Sequence, residues 1–291
     1  MDVMKICVTG SSGRAGRAVV AELVEHGHAV HGADLVPPGK DDRSRPAHFL
    51  RANLTDYGQA VEVLSGADAV IHLANIPAPG LRTPSETFND NMTMNFNVFQ
   101  AAAQVGVGRV VWASSETTLG LPFDVPPRYA PVDEDHYPVP TSTYALSKVA
   151  SETVAAEIAR WSRIPFIALR FSNILGPAEY PSFPSFSDDP ARRKWNLWGY
   201  IDERDAATAC RLALEASGLA DSTSASFIIA AADTVMTQPS ADLMQQIFPD
   251  VPLRGDVPDN SALLSIERAR RMLGFQPRHS WRDYIPASAS G

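Results

Sequence analysis

Hydrophobic positions in residues 1–172 fall into two recurring patterns. Short, nearly continuous apolar runs read as buried strands at Lys5–Thr9, Ala29–Asp34, His48–Asn53, Ala69–Ala74, Arg109–Ser114 and Pro165–Phe171. Between them, apolar residues recur three and four apart, which is the helical period, over Arg17–Glu25, Tyr57–Leu64, Phe88–Val105 and Thr143–Arg163. Gly27 and Gly66 stop two of these helices. Strands joined through helices predict crossover connections, and crossovers predict an α/β fold with a doubly wound parallel sheet.

Residues 173–291 are less regular. Asn173–Trp198 holds four prolines, the basic triplet Arg192-Arg193-Lys194 and two tryptophans, and it reads as a long functional loop. A helix over Glu203–Ser217, a strand over Ser226–Ala231 and helices over Ser240–Phe248 and Ser265–Leu273 follow, and the tail PASASG is expected to fray. These elements are too few for an independent core. The predicted organisation is therefore a first domain, 1–172, with a small C-terminal substrate lobe, 173–291, interleaved with it.

Composition removes several classes of function. The 291 residues are 45% hydrophobic and 20% charged, which excludes a disordered or fibrous chain. The net charge of −8 repels phosphate backbones and anionic lipid, so neither nucleic acid nor a membrane is an expected partner. No apolar run approaches the roughly 18 residues of a membrane span, and the start MDVMKICVTG has no signal-peptide pattern. Cys7 and Cys210 read as buried thiols, so the expected location is the reducing cytoplasm.

Thr9–Gly16 (TGSSGRAG) links the first strand to the first helix. Gly10 allows a tight turn, Gly13 a close backbone approach to a pyrophosphate, and Gly16 close helix packing, while the helix start offers N–H groups to an anion. Gly10, Ser12, Gly13, Arg14, Ala15 and Gly16 are thus candidate cofactor contacts in a Rossmann-type fold. Asp34 ends the second strand, where a carboxylate accepts from ribose hydroxyls and repels a 2′-phosphate. That favours NAD; Arg14, Lys40, Arg43 and Arg45 keep NADP as the alternative.

Tyr144 and Lys148 lie four apart at the start of a long helix and so share a face. A tyrosine is a poor base at neutral pH. Bringing its pKa to about 7 takes roughly 4 kcal/mol of differential stabilisation, which a nearby ammonium and a nicotinamide cation can supply. Ser114-Ser115 ends the fifth strand, where α/β sheets bind ligands, and a hydroxyl there can hold a reacting oxygen. Taken singly, each feature also reads as an ordinary helix pair or a turn serine.

Together these residues resemble the short-chain dehydrogenase/reductase superfamily, in its extended branch of NAD-dependent epimerases and dehydratases. The resemblance runs through Thr9–Gly16, Asn53-Leu54-Thr55-Asp56, His72-Leu73-Ala74-Asn75, Asn91, Ser114–Gly120, Tyr144 with Lys148, Leu169–Pro177 and Asp205. It implies Ser115, Tyr144, Lys148 and Asn91 as the catalytic set. It also implies Asn53, Leu54, Leu73, Ala74 and Asn75 as further cofactor contacts beside Asp34, Tyr144 and Lys148. Tyr144 would exchange the proton, Ser115 orient the oxygen, Lys148 bond the nicotinamide ribose, and Asn91 support a relay water. A homodimer through helices near 87–105 and 143–163 is implied as well.

Departures bear on the reaction. Dehydratases of this family carry an Asp-Glu pair after the catalytic hydroxyl residue; here Glu116-Thr117 follow Ser115, so dehydration is not expected. The short second lobe favours a dehydrogenase or reductase acting on a small hydroxyl or carbonyl compound, such as a sugar or sugar acid. The alternative is a nucleotide-sugar 4-epimerase, and a non-catalytic dinucleotide sensor is a third class. Ser115, Glu116, Thr117, Asn173, Arg192 and Trp195 are the candidate substrate contacts. Arg192–Lys194 read either as a diphosphate or carboxylate site or as a solvated run, and Trp195 and Trp198 either as sugar-stacking or as packing residues. His26, His28 and His31 lack a partner acid pattern, so no metal is expected.

Overall fold

A computed structural model describes residues 3–39, 46–136, 138–219 and 223–285. The tail PASASG and Lys40, Arg43 and Arg45 lie outside them.

Seven strands form one sheet: β1 (Lys5–Thr9), β2 (Ala29–Asp34), β3 (His48–Arg51), β4 (Ala69–His72), β5 (Val110–Ser115), β6 (Phe166–Phe171) and β9 (Ser224–Ile229). A separate two-stranded pair joins β7 (Ile174–Leu175) to β8 (Ile201–Asp202) in parallel. The large sheet runs β3-β2-β1-β4-β5-β6-β9. β1 pairs in parallel with both β2 and β4, β2 with β3, and β4 with β5. All four residues of β4 and all six of β6 are buried, the mark of strands covered on both faces. Strand order reverses direction between β1 and β4, so the carboxyl end of β1 is the switch point where such sheets take ligands.

The helices begin where local chemistry allows. α1 (Arg14–Glu25) starts three residues before the predicted Arg17, directly after Gly13. α2 (Tyr57–Leu64) is capped by Asp56, which accepts from the Gln59 N–H. α3 (Pro84–Val105) starts earlier than the predicted Phe88, because Thr83 caps it and Pro84 sits at the first position, where a missing N–H is harmless. α4 (Thr143–Ser162) is capped by Ser142. α5 (Glu203–Glu215), α6 (Ser240–Ile247) and α7 (Glu267–Leu273) fall within the predicted spans. Among the described residues no helix is long and apolar enough to cross a membrane.

The expected loop over 173–198 is instead largely ordered: after β7 come 3₁₀ helices at Tyr180–Asp188 and Pro190–Asn196. Prolines at 181, 184 and 190 defeat an α period, but 3₁₀ turns tolerate them and align residues three apart. Tyr180, Phe183 and Phe186 follow that spacing, with successive ring centroids 5.3 Å and 5.5 Å apart.

The chain divides into two compact, interleaved units. The first comprises Met1–Ser114, Ser142–Leu169 and Ala207–Ser226. Its core centres on Phe99, which meets His72, Trp112 and Phe166 edge-on. The second comprises Ser115–Thr141, Arg170–Ala206 and Phe227–Gly291. It packs Tyr180, Phe183, Tyr200 and Trp281 together; Tyr200 Oη donates to Asp233 and accepts from the Trp281 N–H.

Candidate active site

The glycine turn after β1 is built as its spacing implies. Gly10 has φ +71°, and a Cβ there would sit 2.7 Å from the Ala74 nitrogen, so the turn is pressed against the end of β4. A Cβ at Gly16 would fall 2.0 Å from the Gly10 carbonyl oxygen, so only glycine lets α1 close on the turn. Gly13 caps α1 without a side chain, and no acid occupies the first turn, which suits the helix start to an anion. Arg14 is exposed at this start and Ala15 half-buried. Asp34 closes the arrangement: its Oδ2 accepts from Ser12 N–H at 3.0 Å and its Oδ1 from Val36 N–H at 3.1 Å. The carboxylate is half-buried and retains acceptor capacity for ribose hydroxyls.

Two neighbouring candidates are placed less directly. Asn53 is exposed, and its Oδ1 accepts from the N–H and hydroxyl of Thr55 in a local turn. The Leu54 side chain is part of the core, while its carbonyl accepts from Asn97. Leu73 N–H continues the ladder to the Thr9 carbonyl, and Leu73 and Ala74 are half-buried beside the glycine turn.

Tyr144 and Lys148 are both buried on α4, with Lys148 Nζ 5.6 Å from the centre of the Tyr144 ring. Lys148 Nζ donates to Asn75 Oδ1 at 2.6 Å and to the Ala113 carbonyl at 2.7 Å. Burial pulls its pKa down to about 7, against the pull of Glu152 one turn along. Ser114 donates to Glu152 at 2.6 Å, so the first serine of the pair is occupied by α4. Asn91 ties the chain after β4 to α4: its Oδ1 accepts from Ile76 N–H at 2.8 Å, and its Nδ2 donates to the Ile76 carbonyl at 3.1 Å and to Ser147 Oγ at 3.5 Å.

In the second unit, Ser115 Oγ accepts from Thr117 N–H at 3.2 Å and from its hydroxyl at 3.0 Å. Glu116 is buried and accepts from Asn196 Nδ2 at 3.2 Å. Burial pushes its carboxyl up to about 7, opposed by Ser172, Asn196, Arg193 and the Asn173 backbone. The basic triplet splits: Arg192 is exposed, whereas Arg193 stacks 5.0 Å from the Phe186 ring and 5.2 Å from that of Trp195. Trp198 is a packing residue, fully buried, with its indole donating to the Pro190 carbonyl. Asp205, within the first turn of α5, accepts from Arg278 N–H, His279 N–H and the His279 ring, tethering the C-terminal segment. The three histidines are separately engaged: His26 and His31 with backbone carbonyls and His28 with Glu215.

A model of the NAD dependent epimerase/dehydratase family matches residues 6–222, spanning the glycine turn, the Tyr144–Lys148 pair and the strands between them. The chain belongs to that family. This NAD-dependent family and the short-chain dehydrogenase/reductase resemblance of the sequence agree. A UDP-glucose 4-epimerase of Lacticaseibacillus casei is 26% identical over 326 residues, covering 98% of this chain and 96% of that one. Against a UDP-glucose 4-epimerase of Corynebacterium glutamicum, identity is 27% over 176 residues, 60% of this chain and 52% of the relative, so that match spans about half the relative's length. The crystal structure of a UDP-galactose 4-epimerase superposes with a TM-score of 0.71 at 27% identity, covering 99% of this chain and 98% of that one. These relatives favour the epimerase alternative over the dehydrogenase that the short second lobe suggested.

Glu152 and Asn95 around the Lys148 pocket, and Asn196 around Glu116, are residues the sequence does not single out; His72 and Arg193 stood out only as members of the His72–Asn75 run and the basic triplet. Each is joined to its site by contacts between residues distant in the chain, apart from Glu152. The i, i+4 spacing of Lys148 and Glu152 was the one local signal available.

Proposed function

We propose that this chain is a nucleotide-sugar 4-epimerase working with NAD. The observation that carries the reading is a match to a UDP-glucose 4-epimerase over 98% of this chain and 96% of that enzyme. The glycine cradle, the uncapped helix start and the Asp34 carboxylate fit the pyrophosphate and ribose of NAD. When bound, NAD supplies the hydride acceptor and donor. Tyr144 takes the proton from the C4 hydroxyl and returns it. Lys148 favours the phenolate through its charge, and Ser115 holds the reacting oxygen. A sugar that turns between the two steps leaves inverted at C4 with no net change of cofactor.

The test is to incubate protein, NAD and UDP-galactose and follow UDP-glucose by chromatography and reduced cofactor by absorbance. Interconversion without accumulation of reduced cofactor is expected. Tyr144→Phe is expected to lower turnover by about 10²–10⁴-fold with NAD affinity retained. Steady accumulation of reduced cofactor with free aldoses or uronic acids would replace this reading by the dehydrogenase. One observation favours that second reading: the alignment with the Lacticaseibacillus casei enzyme takes 326 positions for a 291-residue chain, so the relative has stretches this chain lacks.

A homodimer belongs to the same proposal. Phe96 on α3 and Leu146 and Trp161 on α4 are exposed apolar residues on the two long helices. Trp161→Glu is expected to move the protein to a later elution volume on gel filtration if these helices pair between copies.

A further inference from the structure

Beneath the Tyr144–Lys148 pair, the first unit buries a connected set of polar side chains. Thr9 Oγ1 lies 2.6 Å from His72 Nδ1, and His72 Nε2 lies 2.9 Å from Asn95 Oδ1. Asn95 Nδ2 donates to Ser151 Oγ at 2.7 Å. Asn75 Nδ2 donates to Asn95 Oδ1 at 2.8 Å and also to the Ala74 carbonyl. Asn75 Oδ1 accepts from Lys148 Nζ at 2.6 Å.

The directions of these bonds determine one another. The Lys148 ammonium only donates and the Ala74 carbonyl only accepts, so Asn75 faces Asn95 with its amide hydrogens, the Asn95 oxygen is the acceptor for both Asn75 and His72, and the Asn95 nitrogen donates to Ser151. His72 must then donate from Nε2 and accept the Thr9 hydroxyl at Nδ1, which is the neutral imidazole. Burial agrees, pulling the His72 pKa down to about 3. Asn75 must in turn point its amide hydrogens at Asn95 and Ala74. Only its carboxamide oxygen is left to meet Lys148. A flipped amide would put N–H groups against an ammonium.

We propose that Asn75 is a positioning residue of the Tyr144–Lys148 pair, its carboxamide oxygen aimed by Asn95 and His72 so that the Lys148 ammonium stays charged and fixed beside the Tyr144 ring. This goes beyond a cofactor contact at Asn75, and it rests on reading Tyr144 and Lys148 as the acid/base pair. An ammonium has three N–H bonds; Asn75 and Ala113 take two, directing the third. The groups facing Lys148 are Tyr144 and Glu152 from α4, His72 from β4, and the Ala113 carbonyl and Ser114, itself bonded to Glu152, from β5. Glu152 supports the charge through its own negative charge and Asn75 through a hydrogen bond. Removing the Asn75 oxygen leaves a buried ammonium short of an acceptor, so it sheds its proton more readily and Tyr144 holds its own more tightly.

The test titrates Tyr144 through tyrosinate absorbance, with Tyr144→Phe as the subtracted reference, alongside kcat and KM from pH 6 to 10. Asn75→Ala is expected to move the Tyr144 step and the rising limb of kcat upward by about one pH unit. It should also lower kcat at pH 7 about tenfold, with KM for UDP-galactose unchanged. Asn95→Ala, which leaves Asn75 in place but removes one of the two acceptors that orient its amide, is expected to give a smaller shift in the same direction; it keeps the test open if Asn75→Ala does not fold. A Tyr144 step at the wild-type pH in both variants overturns the inference, even if their melting temperatures fall. If the wild type turns over no sugar nucleotide while the Tyr144 step still shifts, the proposed function fails and the positioning role stands.

Discussion

Lys148 in the first unit and Glu116 in the second are both buried charges with pKa values near 7, reached from opposite sides. Lys148 comes down from 10.5 and is met mainly by neutral oxygens that a polar network orients. Glu116 comes up from 4.5 and is met by the Asn196 amide, Ser172 and the half-buried Arg193. Burial is the largest cause in both, but its consequences for stability have opposite signs. The unfolded chain holds the Lys148 proton more tightly than the folded one, so stability rises as pH climbs from 7 to 10.5. The folded chain holds the Glu116 proton more tightly, so stability falls as pH climbs from 4.5 to 7. The two effects together are least favourable near pH 7. In the first unit that penalty falls on a group to which the proposed function assigns a part in the chemistry; in the second it falls on a group that joins Ser115's segment to residues 193–196.

The sharpest break of this contrast is Lys148→Met. It is expected to lower turnover at least about a hundredfold and to flatten the stability slope between pH 7 and 10.5, read by steady-state kinetics and by urea unfolding at pH 7 and 9.5. Glu116→Gln comes next. It should match the wild type near pH 4, where Glu116 is neutral in the fold and largely neutral in the unfolded chain, and exceed it at pH 8 by up to about 3 kcal/mol in urea unfolding. An equal difference at both pH values would mean that Glu116 is not the group holding the proton. Asp205→Ala, which loses three donors from the C-terminal segment, is expected to destabilise by about 2 kcal/mol in thermal unfolding while leaving NAD affinity unchanged. Asp34→Ala has the smallest expected effect on the fold and the reverse selectivity: the NAD-over-NADP ratio of kcat/KM should narrow by about tenfold, near 1.4 kcal/mol. Unchanged discrimination would remove Asp34 from the ribose site.

Much of the first unit was legible because its signals are local. A glycine triplet between a strand and a helix, an acid ending the next strand and a tyrosine four residues before a lysine each depend on neighbours in sequence. The 3₁₀ segment was misread because the helix expectation was tuned to a period of 3.6, whereas Tyr180, Phe183 and Phe186 keep a period of three. Arg192 and Arg193 look alike in sequence, and only the structure distinguishes them: Arg192 is exposed, whereas Arg193 lies 5.0 Å from the Phe186 ring and 5.2 Å from that of Trp195. Asn91, expected to support a relay water, bonds Ile76 and Ser147 through its amide, contacts 15 and 56 residues away that no local pattern announces.

The sequence alone determined the alternation of strand and helix, the glycine turn and the Tyr144–Lys148 spacing, since each follows from short-range periodicity and backbone sterics, whereas the switch point after β1 came with the strand order. Tertiary structure alone decided which end of the Asn75 amide meets Lys148, which arginine is half-buried, and that burial brings Lys148 down and Glu116 up to about 7. Those outcomes depend on desolvation and on hydrogen-bond partners tens of residues away, such as Asn75 with Lys148 and Glu116 with Asn196, which no local pattern encodes.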